Sequence, residues 1–329
     1  MYNNFSGVTL VKNKIKRKIR SLLGVTNENF VSRKEFNKTN RLVETHQDYI
    51  NNIYAFHNLQ PNKYLSTMQE LCYQFMLFFD NVCRKYDIEY WMDYGTLLGA
   101  YRHSGLIPWD DDLDVGMMRA DYIRFIDVVQ DEIDACGLDH IKAHLKVDKH
   151  DRKSVRWFQL SYYYPIFNGK FIGLDIYPYD FLKDYDGRDL ENDYMLFSKE
   201  YYHNPDDHEL EETVYEFYEK FNCTLEKDTH IIPGVEDSRN NLRKFSVYKF
   251  DIVETEKVFP LTRMMFGGYE FMAPNNTRQY LIDIYGKKFL QIPRKIRDHN
   301  RLNKFRRQEN IIEILEECVE LLKKANERY

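Results

Sequence analysis

Four carboxylates in five residues, Asp110, Asp111, Asp112 and Asp114, stand immediately before an apolar run, Val115-Gly-Met-Met118. Side chains alternate across a β-strand with a period of two, so a strand here points Asp112 and Asp114 to one face and Leu113 and Val115 to the core. Two carboxylates then converge at one end of a sheet. Like charges at close range oppose shared ionisation, so such a pair demands a cation or a retained proton. A divalent metal is the natural partner, and all-oxygen ligands favour Mg²⁺ or Mn²⁺. Mg²⁺ binds one or two carboxylates and fills its octahedron with water and substrate phosphates, so a phosphate-bearing substrate follows.

The residues upstream point the same way. Gly95 in Tyr94-Gly-Thr-Leu-Leu-Gly99 lets backbone amides approach an anion, Thr96 adds a hydroxyl, and the helix entered there offers its positive end. Arg102 supplies a fork for a phosphate. Asp175 interrupts an otherwise apolar strand (Phe171, Ile172, Leu174, Ile176), where an unpaired carboxylate is expensive, and is the candidate third metal ligand. A Gly-Thr turn, a gap of some fifteen residues, an Asp-x-Asp strand and a later lone Asp on a strand form the layout of the nucleotidyltransferase (polymerase β-like) fold.

Composition narrows the fold class. With 14 Gly and 9 Pro in 329 residues, both fall below the usual ~7% and ~5%, which disfavours a turn-dense all-β chain and favours a helix-rich α+β one. The five cysteines are odd in number and widely spaced, without a C-x-x-C pair, so neither a disulfide framework nor a zinc site is expected and a cytoplasmic setting fits. No run approaches the ~18–20 apolar residues of a membrane span, and the first residues lack a secretory signal pattern. Net charge is −5, yet residues 1–43 hold ten Lys and Arg against Glu28 and Glu35. Leu10, Val11, Ile15, Ile19, Leu22 and Leu23 recur among those bases at helical spacing, the pattern of an amphipathic helix, for which the readings are attachment to an anionic membrane surface at its inner face, a solvated leader, or a helix packed on the main domain. The acidic remainder argues against nucleic acid.

Periodicity sets the rest. Met68, Leu71, Cys72, Phe75, Met76, Phe79, Val82 and Cys83 predict a core helix over 65–86, and a short strand over 88–92 follows. A helix is expected over 121–137, and an antiparallel hairpin from 156–164 and 170–176 about Asn168-Gly169. Residues 184–246 read as a mostly helical insertion. A second hairpin turns at Gly267-Gly268, a helix covers 277–285, and Ile311, Ile312, Leu315, Cys318, Val319 and Leu322 share one face of a terminal helix. The divisions expected are a basic arm and linker over 1–60, a catalytic domain over 61–300, and a C-terminal helix over 301–329.

These residues carry a family resemblance. Tyr90-Trp-Met-Asp-Tyr-Gly-Thr-Leu-Leu-Gly99, Arg102-His-Ser-Gly-Leu-Ile-Pro-Trp-Asp-Asp-Asp-Leu-Asp114, Asp175-Ile-Tyr-Pro-Tyr-Asp180 and Val258-Phe-Pro-Leu261 resemble the LicD family of phosphocholine transferases, which includes fukutin and the fukutin-related protein. Phe266 to Pro274, Tyr285-Gly286 and Arg297-Asp-His299 resemble the end of the same domain. The resemblance implies a nucleotidyltransferase-fold mixed sheet flanked by helices, and an enzyme that moves a phospho-alcohol from a CDP-linked donor to a hydroxyl of a cell-surface glycan or lipid-linked oligosaccharide. Lipopolysaccharide, teichoic acid and capsule are acceptor classes of that kind. By the same resemblance Asp112, Asp114 and Asp175 hold two Mg²⁺ or Mn²⁺ ions, and Gly95 and Thr96 receive the donor phosphates, with Arg102, Asp110 and His299 beside them. Asp111 faces away from Asp112, Trp109 packs the turn after Pro108, and His103 is either structural or a phosphate contact. Nucleotidyl transfer from an NTP and a catalytically silent glycan-assembly scaffold are the alternatives.

Overall fold

The computed structural model describes residues 32–56, 62–108, 110, 112–147, 156–164, 169–203, 210–236, 252–291, 305 and 307–329. The expected helix over 10–23, Trp109, Asp111, Asn168, His299 and the end of the insertion at 237–246 lie outside them. Two units divide the chain, Met1–Leu59 and Gln60–Tyr329. In the first, α1 (Arg33–Phe56) opens on a capping box: the Ser32 hydroxyl accepts the Glu35 N–H at 3.1 Å and the Glu35 carboxylate accepts the Ser32 N–H at 2.9 Å.

In the second unit, α2 (Lys63–Lys85) starts at Asn62, whose side chain accepts from the Leu65 N–H, and buries the whole apolar stripe that its spacing predicts. It ends through Asp87, at φ +52°, with the Ile88 N–H returned to the Cys83 carbonyl at 2.9 Å. That cap uses Ile88, so the strand expected from residue 88 begins only at Trp91. The terminal helix α9 (Ile311–Asn326) packs on α2, where the Asn326 amide donates to the Gln74 carbonyl and its Oδ1 accepts from Asn81.

A mixed sheet carries the architecture. Its central order is β1 (Trp91–Met92), β2 (Leu113–Met118), β5 (Gly169–Leu182), β4 (Arg156–Tyr164) and β3 (Ile141–Val147), with β2 and β5 parallel and the other neighbours antiparallel. The α3 helix (Tyr94–His103) joins β1 to β2, and α4 (Arg119–Ala135) joins β2 to β3. This is the α+β mixed sheet with helices that the sequence predicts. β5 runs further than expected, to Leu182, where β6 (Cys223–Thr224) and β7 (His230–Pro233) pair with it, and β8 (Val253–Glu254) pairs with β7.

The insertion is therefore not wholly helical. Its α5 (Glu191–His203) and α6 (Leu210–Phe221) pack Tyr194, Phe217 and Phe221 against Leu182, Ile232 and Val235, while β6 and β7 complete the sheet. Short strands such as His230-Ile-Ile-Pro233 carry too few residues to show a period of two, and pairing with β5 decides their state.

One buried ion cluster ties these parts. Arg119, the first residue of α4, donates through Nε and Nη2 to the Asp180 carboxylate at 2.9 and 2.8 Å and through Nη1 to Glu236, and the Tyr218 hydroxyl donates to Asp180 at 2.6 Å. All three charged groups are at most 5% exposed, which is tolerable only because the one guanidinium bonds both carboxylates. A two-stranded hairpin of β9 (Thr262–Phe266) and β10 (Tyr269–Ala273) turns at Gly267 and Gly268, both at positive φ, as the Gly-Gly pair predicts. Between β8 and β9 lies α7 (Thr255–Val258), and α8 (Thr277–Tyr285) follows β10. All five cysteines are free thiols, and no helix among the described residues is long and apolar enough to cross a membrane.

Candidate active site

The site is built where α3 begins against β2. Asp93 caps the helix, its Oδ1 accepting the Tyr94 N–H at 2.8 Å, and its carboxylate also accepts the hydroxyls of Tyr179 at 2.7 Å and Tyr280 at 3.1 Å. Its own N–H donates to the Asp114 carbonyl, so the cap is fixed to the strand that carries the carboxylates. Tyr94 takes φ +40°, a left-handed conformation that costs a bulky residue about 1–3 kcal/mol. The fold holds it there through the Asp93 bond and an edge-on contact with the Tyr177 ring at 5.9 Å.

Gly95 follows, inside the first turn of α3 and not in a turn ahead of it. A Cβ on Gly95 would stand 2.8 Å from Oδ2 of Asp110 and 3.6 Å from Oδ2 of Asp114, so both carboxylates lie against the positive end of the helix. Thr96 is buried, and its hydroxyl accepts the Asp114 N–H at 2.7 Å, which sets where that carboxylate leaves the strand. Asp114 and Asp175 are register partners on the parallel pair β2 and β5, adjacent at the strand spacing of about 4.8 Å and on the same face. Asp112 is half-buried one residue before β2. The structure thus gathers Gly95, Thr96, Asp110, Asp114 and Asp175.

Residues 87–218 match the family model described as LicD/FKTN/FKRP, nucleotidyltransferase domain. This segment is a LicD-family nucleotidyltransferase domain. The lipopolysaccharide cholinephosphotransferase LicD of Haemophilus influenzae is 48% identical over 64 residues, which are 20% of this chain and 24% of that protein. Ribitol 5-phosphate transferase FKRP of Homo sapiens is 50% identical over 34 residues, 10% of this chain and 7% of its own length. An uncharacterized Rickettsia typhi protein is 35% identical over 129 residues, 33% of this chain and 42% of that protein. The chain therefore spans less than half the length of each of these relatives.

The LicD domain presents only oxygen donors at this point, the set that suits Mg²⁺ or Mn²⁺. Among the described residues no three His, Cys, Asp or Glu side chains stand close enough together to enclose an ion. A Mg²⁺ ion takes one or two carboxylates from a protein and the rest of its shell from water and phosphate. The adjacent pair Asp114 and Asp175, with Asp110 across the helix end, fits that requirement.

Arg102 makes two contacts of its own at the other end of the helix. It lies in the last turn of α3, seven residues and about 10 Å of helix beyond Gly95. Its Nε donates to Nε2 of His103 at 2.8 Å and its Nη1 points to the Phe289 carbonyl at 3.4 Å. Burial first and the Arg102 charge second hold the His103 pKa down to about 4, so its ring is neutral and accepts that bond.

Three residues of the LicD domain escaped the sequence reading. Asp93 carries a readable signal, an N-cap residue type directly before a helix. Gln159 and Lys170 stand behind Asp175: the Gln159 amide donates to Asp175 Oδ1, and its Oε1 accepts from Lys170 Nζ at 2.9 Å and Ser161 Oγ at 2.7 Å. Only the polar residue inside Trp157-Phe-Gln-Leu160 hints at it.

Proposed function

We propose that this protein is a metal-dependent transferase that moves a phospho-alcohol, such as phosphocholine or ribitol phosphate, from a CDP-linked donor to a hydroxyl of a glycan, releasing CMP. The observation that carries the reading is the register of Asp114 with Asp175 beside the open end of α3, inside a LicD-family domain whose named relatives are a cholinephosphotransferase and a ribitol 5-phosphate transferase.

Asp112, Asp114 and Asp175 are the candidate ligands that would hold Mg²⁺ or Mn²⁺, which when bound would supply Lewis-acid charge for the diphosphate and lower the pKa of the attacking hydroxyl. The chain's own residues do the positioning. The backbone amides of the first turn of α3 would meet the donor phosphates, and Gly95 leaves the room that the Asp110 carboxylate takes beside them. Thr96 and Asp93 hold β2 and α3 in one arrangement, so the carboxylates need not reorganise as charge moves to the leaving CMP. His299 and Arg102 are the remaining candidates for donor contacts, and residues 1–43 for salt-sensitive attachment to an anionic membrane surface.

Incubation of the full chain with CDP-choline, CDP-ethanolamine, CDP-glycerol and CDP-ribitol, with Mg²⁺ or Mn²⁺, tests the reading through CMP formation. Parallel reactions with NTPs, read as pyrophosphate, test for nucleotidyl transfer. Pyrophosphate without CMP from any donor would replace the proposal with nucleotidyl transfer.

A further inference from the structure

The amide behind Asp175 is placed with more care than a structural contact requires. Gln159 is 2% exposed on β4 and is the register partner of Asp175 on β5. An amide can face a neighbour with either end, but an ammonium has donors and no acceptor. Since Lys170 Nζ lies 2.9 Å from one end, that end is the carbonyl and the N–H₂ faces the carboxylate. Ser161 Oγ holds the same carbonyl from its other side.

Two irregularities of β5 make this arrangement possible. Counting by twos from Asp175 and Gly173 would send Lys170 to the opposite face with Ile172 and Leu174. The register shift between Tyr162 and Tyr163 makes Lys170, not Phe171, the partner of Tyr163, and the extra residue turns Lys170 onto the face of Asp175. Gly173 leaves the space it enters: a Cβ there would stand 2.7 Å from Lys170 Nζ and 2.9 Å from Gln159 Nε2. Bulges that re-aim a side chain are a recurrent device next to active sites.

We infer that Gln159 is a positioning residue that fixes the rotation of the Asp175 carboxylate, with the bulge-aimed Lys170 fixing which end of the Gln159 amide does so. The amide engages Oδ1 and the Tyr177 hydroxyl donates to Oδ2 at 3.4 Å, so the carboxylate is held from both oxygens in one rotation. The inference rests on the proposed role of Asp175 as a metal ligand and adds to it the partner that makes the ligand rigid.

The test is Mn²⁺ binding to the full chain, read by electron paramagnetic resonance of the free ion, with circular dichroism and thermal melting for the fold. Partners that orient a ligand change metal affinity by about 10–100-fold when removed, and Gln159→Leu is expected to weaken Mn²⁺ binding by that factor without loss of the cooperative melt. Gln159→Glu keeps the shape and the Lys170 contact but sets an acceptor against Asp175. By charge alone it would tighten Mn²⁺ binding, whereas a positioning role requires it to weaken. Wild-type affinity in Gln159→Leu, or tighter binding in Gln159→Glu, overturns the inference; should the leucine variant not fold, the glutamate variant decides. Asp175→Asn run alongside separates the two levels. Wild-type affinity in that variant, or no Mn²⁺ binding by the wild type, removes the metal role of Asp175 and the positioning role with it.

Discussion

Gly95→Ala separates function from stability at the centre of the candidate site. The new Cβ would stand 2.8 Å from Asp110 Oδ2, roughly 0.7 Å inside the ~3.5 Å optimum for such a contact. Its other near neighbour, Asp114 Oδ2 at 3.6 Å, is in ordinary contact, so the burden falls on Asp110. That oxygen is the far end of a short flexible side chain, which can swing aside at little cost to the fold. Alanine also suits a helical position better than glycine, by up to about 1 kcal/mol. The melting temperature should therefore hold or rise slightly. The carboxylate, in contrast, moves by more than the ~0.5 Å that a reacting constellation tolerates, and misplacement near 1 Å costs about 10²-fold in rate. A loss of about 100-fold in CMP release at an unchanged melting temperature is expected, from a CDP-alcohol assay with Mn²⁺ beside differential scanning calorimetry. Turnover within twofold of the wild type would refute the reasoning, because Asp110 would then have no need of the space that Gly95 leaves.

Other measurements test other parts. Arg119→Leu leaves Asp180 and Glu236 buried side by side without their cation, and should cost about 3–5 kcal/mol in urea unfolding; a loss under 1 kcal/mol would mean that the cluster is hydrated. His103, held near pKa 4 in the fold against 6.5 when unfolded, takes up a proton on unfolding between those values. Its contribution to stability is full above pH 6.5, falls as pH drops to 4 and levels below, so His103→Gln should flatten that part of the pH–melting curve, and an unaltered slope would count against it. Among the thiols Cys72, Cys83 and Cys318 are buried, with Cys318 pushed up to about 11 chiefly by burial, and half-buried Cys223 is raised by desolvation and then by the Asp180 charge, so native protein should label first at half-buried Cys136 with a disulfide reagent. Fast labelling at Cys318 would show that α9 leaves α2.

The core helix, the Gly-Gly hairpin and the carboxylate cluster were legible because each rests on local pattern: apolar spacing in α2, positive φ at Gly267 and Gly268, and repulsion among neighbouring aspartates. The meeting of Asp114 with Asp175 was foreseen from chemistry, as an expensive charge in an apolar strand, although only the parallel pairing of β2 and β5 sets its register. β3 was legible and passed over, since Ile141, Ala143, Leu145 and Val147 alternate with Lys142, His144 and Lys146. What no local pattern discloses is contact across sequence distance. The bond from Tyr280 to Asp93 joins residues 187 apart, and the bulge that aims Lys170 at Gln159 appears only once β4 has chosen its register.

The carboxylate of Asp93 also defines how little of this molecule can be removed. A fragment trimmed to residues 87–218 would retain every aspartate discussed above, yet it would strip Tyr280 from Asp93 and Glu236 from Arg119. Two interior acids and bases would lose a counterpart in a single cut, and the sheet would forfeit β7 beside Asp180. The portion shared with distant relatives thus borrows its rigidity from downstream chain, and recombinant work on the candidate site should keep the polypeptide at least through α8.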